Sequence, residues 1–140
     1  METDTSLKRF LEAQKNTYDI ALSEIKAGHK ASHWMWFIFP QISGLGHSYM
    51  DAVYSIKSFD EAKAYINEPT LRSRIIEISS ALLELKSSNP TEVMGWPDDM
   101  KLKSSMTLFE KAAPEIDVFG KVLDKFYNGE RDEKTLNLIG

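Results

Sequence analysis

Apolar positions recur along this chain at steps of three and four residues, the period of a helix buried along one face. Leu7, Phe10, Leu11, Tyr18, Leu22 and Ile25, with Gln14 and Ala21 completing the stripe, predict a helix over 6–27. Asp4, Thr5 or Ser6 can cap its free amides, and Gly28 suits the left-handed turn that ends it. Ser58-Phe59-Asp60-Glu61 has the form of a capping box and predicts a short helix carrying Ala62, Tyr65 and Ile66. Glu68-Pro69 breaks that helix, because a residue before proline avoids helical dihedrals.

A longer helix follows to about residue 86, with Leu71, Ile75, Ile78, Leu82 and Leu85 as its buried stripe, and Ser87-Ser88-Asn89-Pro90 closes it. Thr91 is placed to cap one turn ending at Gly95. Pro97 then falls near the first turn of a helix over 98–112 that buries Leu102, Met106 and Phe109. Pro114 interrupts. A helix over 115–127 buries Ile116, Phe119, Val122, Leu123 and Phe126 and ends at Gly129; Asp132 can cap a last short helix with Leu136 and Ile139 inward. Strand patterns are nearly absent. The expected fold is all-α (mainly α): a single irregular domain over 1–140 with about six helices, a flexible N-terminus at 1–5, and one aromatic-rich non-helical segment around 33–47.

Composition supports a packed globule. The chain has 140 residues, 42% of them hydrophobic, with seven Phe, five Tyr and three Trp, which is far from the aromatic-poor composition of disordered chains. It has no cysteine, so disulfides, thiolate metal sites and a cysteine nucleophile are excluded together. The formal charge of -4 and the lack of any basic cluster argue against a nucleic-acid surface. No signal peptide is visible behind Met1, and the longest apolar run, 34–39, is far short of the ~20 residues a bilayer requires. A cytoplasmic monomer without cofactor or membrane partner is the expectation.

Residues 29–50 do not fit the helical pattern. Trp34, Trp36, Phe37 and Phe39 crowd into six positions, Pro40 follows, and all three histidines, His29, His33 and His47, fall within this stretch. The run is too uniformly apolar to choose a period: a buried strand, a turn of helix and an extended loop all fit. The plain reading is a hydrophobic plug across the helices. The sharper one gives His33, beside those aromatics, the role of general acid or base, set against that of a hydrogen-bonded structural histidine.

The turn Gly44-Leu45-Gly46-His47-Ser48 is the next candidate. It allows close backbone approach, and Ser48 can cap a helix through Tyr54 with Asp51 three residues on. Free amides at such a start attract anions, although neither a Walker loop nor a complete dinucleotide fingerprint is present, and a simple turn is the plain reading. His29 and His33 stand four apart, but no glutamate lies between them, so no metal site is assigned. Lys101, Ser104 and Ser105 share one helix face that can meet a phosphate or carboxylate; the plain reading is a solvated edge with back-bonded hydroxyls.

Three words carry a family resemblance: His33-Trp34-Met35-Trp36-Phe37-Ile38-Phe39-Pro40-Gln41, then Gly44-Leu45-Gly46, and Lys101-Leu102-Lys103-Ser104-Ser105-Met106-Thr107-Leu108-Phe109. With Glu12-Ala13-Gln14 and the closing Asp132-x-x-Thr135-Leu136, the chain closely resembles the bacterial domain-of-unknown-function family 1810 from about Leu7 to Gly140. The resemblance implies a mostly helical single domain and brings no established activity. Glu12-Ala13-Gln14-Lys15 and Leu45-Gly46-His47-x-x-Met50 are also similar to short words of NADAR-type N-glycosidases acting on ADP-ribose-like compounds. That second likeness departs from the pattern, with Lys8 standing where those enzymes have a glutamate and Trp36-Phe37-Ile38-Phe39 in place of a glycine-rich segment.

Both flagged patches are polar as well as apolar, which a pure core does not need. The leading expectation is a domain that binds, or acts on, a small phosphorylated or otherwise anionic metabolite. Trp36, Gln41, Gly44, Gly46, Ser48, Lys101, Ser104 and Ser105 would hold it, with His33 as the catalytic candidate. The alternative is a non-enzymatic interaction module, which predicts Trp34 and Trp36 partly exposed in a contiguous apolar patch. An N-glycosidase-like enzyme is the distant third.

Overall fold

A computed structural model describes residues 5–140. Its helices are α1 (Thr5–Gln14), α2 (Tyr18–Lys26), α3 (Met35–Ile38), α4 (Tyr49–Tyr54), α5 (Phe59–Asn67), α6 (Pro69–Leu83), α7 (Pro90–Met94), α8 (Asp98–Ala112), α9 (Val118–Tyr127) and α10 (Glu133–Ile139). Ten helices among the described residues replace the expected six or so. The increase comes from short elements. The helix expected over 6–27 breaks after Gln14 into turns at 15–17, where Asn16 and Thr17 have low helix propensity, and resumes at Tyr18. The segment expected to be non-helical holds the single turn α3. A cap at Asp4 and a flexible terminus at 1–4 lie outside the described residues, as do the side chains of Thr5 and Ser6; α1 already begins at Thr5.

Three long helices form the centre. α9 packs on α8 and α6, α5 lies against both α6 and α8, α2 packs on α6, and α7 and α10 both lie against α8. The core joins Phe10, Tyr65, Phe109 and Phe119 through successive ring contacts with centroids 5.0–6.0 Å apart. Each such side chain, fully buried, contributes roughly 1.5–3 kcal/mol. Gln14, the polar member of the first stripe, is buried but satisfied: its Nε2 donates to the Phe37 carbonyl at 2.7 Å and to the Tyr65 hydroxyl at 3.1 Å.

Local sequence explains most helix ends. Ser48 and Asp51 form the full reciprocal capping box at α4. At α5 only half of the box forms. Ser58 accepts from the Glu61 amide, while the Glu61 carboxylate accepts from the Lys57 amide at 2.8 Å and pairs with Arg9 at 2.9 Å. Asn89, not Thr91, caps α7: Pro90 opens the helix, and the Asn89 side chain accepts from the amides of both Thr91 and Glu92. α9 starts at Val118 rather than 115, and Asn128 takes the left-handed turn ahead of Gly129. In α10 the fully buried side chain is Thr135, with Leu136 and Ile139 only partly covered.

Glu24 of α2 positions the aromatic segment. Its carboxylate accepts the amides of Ala31 and Ser32 at 2.7 and 3.0 Å, the Ser32 hydroxyl at 2.5 Å and the Trp34 indole N–H at 2.9 Å. Burial acts to raise its pKa, but those hydrogen bonds outweigh it and hold the carboxyl at about 2. Trp34 is thereby drawn fully into the core. After α3, residues 41–43 run beside 55–56: the Ser43 amide donates to the Ile56 carbonyl and the Ile56 amide to the Gln41 carbonyl, each at 2.8 Å. Ile42 and Ile56 form an isolated parallel bridge.

Candidate functional site

The bridge at Ile42 fixes the backbone on either side of it, so Gln41 and the turn 44–47 face the first half of α8. Between them lies a cleft of about 240 Å³. The turn contributes Gln41, Leu45 and Gly46; α8 and the residue before it contribute Pro97, Met100, Lys101, Lys103 and Ser104; the start of α10 adds Asp132 and Lys134. A shallower depression of about 620 Å³ continues past Met100, Lys103, Asp132 and Lys134, where Glu130, Arg131 and Glu133 mix both signs of charge.

Lys101 forms the back of the cleft. Its ammonium lies 5.5 Å from the centre of the Trp36 ring, a cation–π contact, and no carboxylate pairs with it among the described residues. Behind it is a recess of about 10 Å³, whose apolar walls are Met35, Trp36 and Phe39 and whose polar groups come from Gln41, Asp51, Ser55 and Lys101. Lys103 pairs with exposed Glu130 at 3.2 Å; Lys134 is exposed and makes no ion pair among the described residues. Asp132, the one acid in the cleft, has Oδ2 occupied by three donors: Ser104 Oγ at 3.1 Å, the Thr135 amide at 3.1 Å and Thr135 Oγ1 at 2.5 Å.

The structure brings Gln41, Gly46, Lys101 and Ser104 together around this cleft, with Trp36 under Lys101. The other predicted residues lie apart from it. His33 is exposed and lines neither cleft nor recess. Gly44 is at φ +106°, and a β-carbon there would lie 3.3 Å from the Leu138 side chain of α10. Ser48 is exposed, its hydroxyl spent on Asp51 at 2.7 Å. Ser105 points into the core, fully buried, and its hydroxyl has no partner among the described residues. Trp34 is also fully buried, so the exposed pair of tryptophans that an interaction surface would use is not formed.

Sequence reasoning missed Asp51, Ser55, Asp132 and Lys134 as site residues. Asp51 carries a capping signal, Asp132 a capping signal and a place in the closing family word, and Lys134 reaches the cleft because α10 docks on α8. No cluster of three or more metal-ligating side chains occurs among the described residues, and none of their helices is long and apolar enough to cross a membrane.

The fold and the cleft define an all-α, irregular multi-helix protein with a lysine-lined opening between a loop and its central helix. The chain belongs to the DUF1810 family, whose model, described as a protein of unknown function, matches residues 4–139. Among solved structures, the chain is similar to the conserved hypothetical protein Rv1873 from Mycobacterium tuberculosis, with 41% identity, a TM-score of 0.93 and 95% of each chain covered. None of the curated proteins matches it.

Proposed function

We propose that the cleft binds a small anionic metabolite, phosphorylated or carboxylated. One observation carries this reading: three ammonium groups, Lys101, Lys103 and Lys134, line a single cleft, and only Lys103 has a carboxylate partner among the described residues. Three lysines face the single carboxylate of Asp132, itself held by Ser104 and Thr135, so positive charge is in excess there and an anion offsets it. At about 240 Å³ the cleft is smaller than the ~300–1,000 Å³ of typical ligand pockets, which suits a compact acid better than a dinucleotide. The reading is one of binding, and His33, outside the cleft, has no part in it.

The test is a thermal-shift series with inorganic phosphate and short-chain phosphates and dicarboxylates, on wild type, Lys101→Ala and Lys134→Ala. A ligand at 100 times its dissociation constant adds about 2.7 kcal/mol of stability. A shift in wild type that is lost in folded Lys101→Ala supports the site. No shift with any acid ends the reading and favours an interaction module, for which Trp96 and Met100, 75% and 61% exposed, are among the exposed apolar side chains.

A further inference from the structure

We infer that the ligand of this cleft carries a hydroxyl group close to its anionic group, and that this hydroxyl seats in the recess behind Lys101, donating to Asp51 and accepting from Gln41. The inference rests on the binding reading above and narrows its ligand class to hydroxylated anions, such as polyol or sugar phosphates and hydroxy acids.

The recess shares Gln41 and Lys101 with the cleft, so a group entering it remains attached to a ligand held outside. Its volume of about 10 Å³ admits one water-sized group and no more. Its polar walls are unevenly committed. Asp51 uses Oδ2 to accept from the Ser48 amide at 3.1 Å and the Ser48 hydroxyl at 2.7 Å, while Oδ1 accepts no hydrogen bond among the described residues. The Ser55 hydroxyl is paired with the Ser43 hydroxyl at 2.7 Å. The side chain of Gln41, largely buried, makes no hydrogen bond among the described residues.

The recess therefore offers the Asp51 carboxylate as an acceptor, the Lys101 ammonium as a donor, and the Gln41 amide, whose Nε2 donates and whose Oε1 accepts. A hydroxyl satisfies donor and acceptor alike, donating once and accepting with its lone pairs. An amine brings a second cation beside Lys101, a methyl group leaves the carboxylate and amide unpaired, and another carboxylate faces Asp51. Trp36 and Phe39 give the carbon bearing the hydroxyl an apolar wall.

The experiment compares glycerol 3-phosphate, propyl phosphate and inorganic phosphate by isothermal titration against wild type, Asp51→Asn and Gln41→Ala. Two hydrogen bonds in a partly enclosed site correspond to roughly tenfold in affinity. Glycerol 3-phosphate is expected to bind wild type about tenfold more tightly than propyl phosphate, with the preference abolished in Gln41→Ala and Asp51→Asn. Gln41 lies outside the capping box, so its variant keeps the test open if Asp51→Asn fails to fold. Equal binding of the two esters, or a preference that survives in Gln41→Ala, overturns the inference while leaving the anion site standing. Binding of none of the three phosphates overturns both.

Discussion

The Ser104 hydroxyl donates to Oδ2 of Asp132 at 3.1 Å, and the Asp132 amide donates to the Thr107 hydroxyl, one turn further along α8, at 2.9 Å. Two polar words far apart in the chain, Lys-Leu-Lys-Ser-Ser-Met-Thr and Asp-x-x-Thr, thus form one joint that seats α10 on the central helix. This joint also places Lys134 at the cleft. A structural pairing here sets the geometry of the opening.

Removing Asp132 should therefore loosen the C-terminal helix. Asp132→Ala deletes the cap of α10 and leaves the buried Thr135 hydroxyl without its acceptor, whereas the Ser104 hydroxyl keeps the Met100 carbonyl at 3.3 Å. The cap alone is worth about 1 kcal/mol, and the stranded Thr135 donor adds about 1–2 kcal/mol. Urea denaturation is expected to show a loss of about 2–3 kcal/mol, with Asp132→Asn losing less than half of it. A loss below about 0.5 kcal/mol for the alanine variant would mean that the joint contributes little.

Ser105 makes the opposite case beside it. Its hydroxyl is fully buried with no partner among the described residues, so Ser105→Ala removes a desolvated group and exchanges it for a methyl of similar size. The variant should be neutral, or more stable by up to about 1 kcal/mol, and should bind phosphate like wild type. A clear loss of phosphate binding in the folded variant would place Ser105 in the site after all.

The contrast between these serines shows where legibility in the sequence ends. The stripes of α6, α8 and α9 could be read because every third or fourth residue repeats the burial signal, and the Ser48–Asp51 box because it is local. The break at 15–17 was hidden, since the apolar stripe continues in phase across it through Gln14, Tyr18 and Ala21. One-turn helices such as α3 leave no periodic trace. Trp36, Gln41, Gly46 and Lys101 were legible as odd words, but adjacency in a word did not say which serine faces the cleft. Nor could Asp51 and Lys134 be assigned, because the packing of α4 and α10 brings them there, and no pattern within either helix encodes it.

Glu24 predicts a specific response to acid. Its folded pKa of about 2 lies below the ordinary 4.5, so its contribution is fully present above the unfolded value and is lost as pH falls toward 2. Glu24→Gln keeps the shape but not the charge that holds Ala31, Ser32 and Trp34. The variant should be less stable than wild type at pH 7 by about 1 kcal/mol, a figure already reduced for solvent screening, and the two should converge near pH 2–3. Glu110, whose carboxyl is lowered by its hydrogen bonds from Arg131, remains in both proteins and cancels in the comparison. Chemical denaturation at pH 7, 5 and 3 measures the gap, and a gap independent of pH would remove Glu24 from this role.

Gly46 connects the loop to the recess. A β-carbon built there would lie 2.3 Å from the Asp51 carboxyl carbon, well inside contact distance. Asp51 cannot swing away freely, because the same carboxylate closes the capping box of α4. Either the loop lifts from α4 or the cap opens. A lifted loop moves Leu45 and Gln41 from the cleft; an opened cap moves Asp51 from the recess. Gly46→Ala is therefore expected to cost about 1–3 kcal/mol in stability, as overpacking does, and to weaken phosphate binding together with any preference for glycerol 3-phosphate. Gly28→Ala is the control, for alanine is strained at the φ of +87° that glycine adopts freely, yet its β-carbon meets open space and the position belongs to neither cleft nor recess. It should lose a similar amount of stability and no affinity. If Gly46→Ala loses stability alone, with titrations unchanged for all three phosphates, the contact with Asp51 is a matter of packing and the recess is not part of the ligand site.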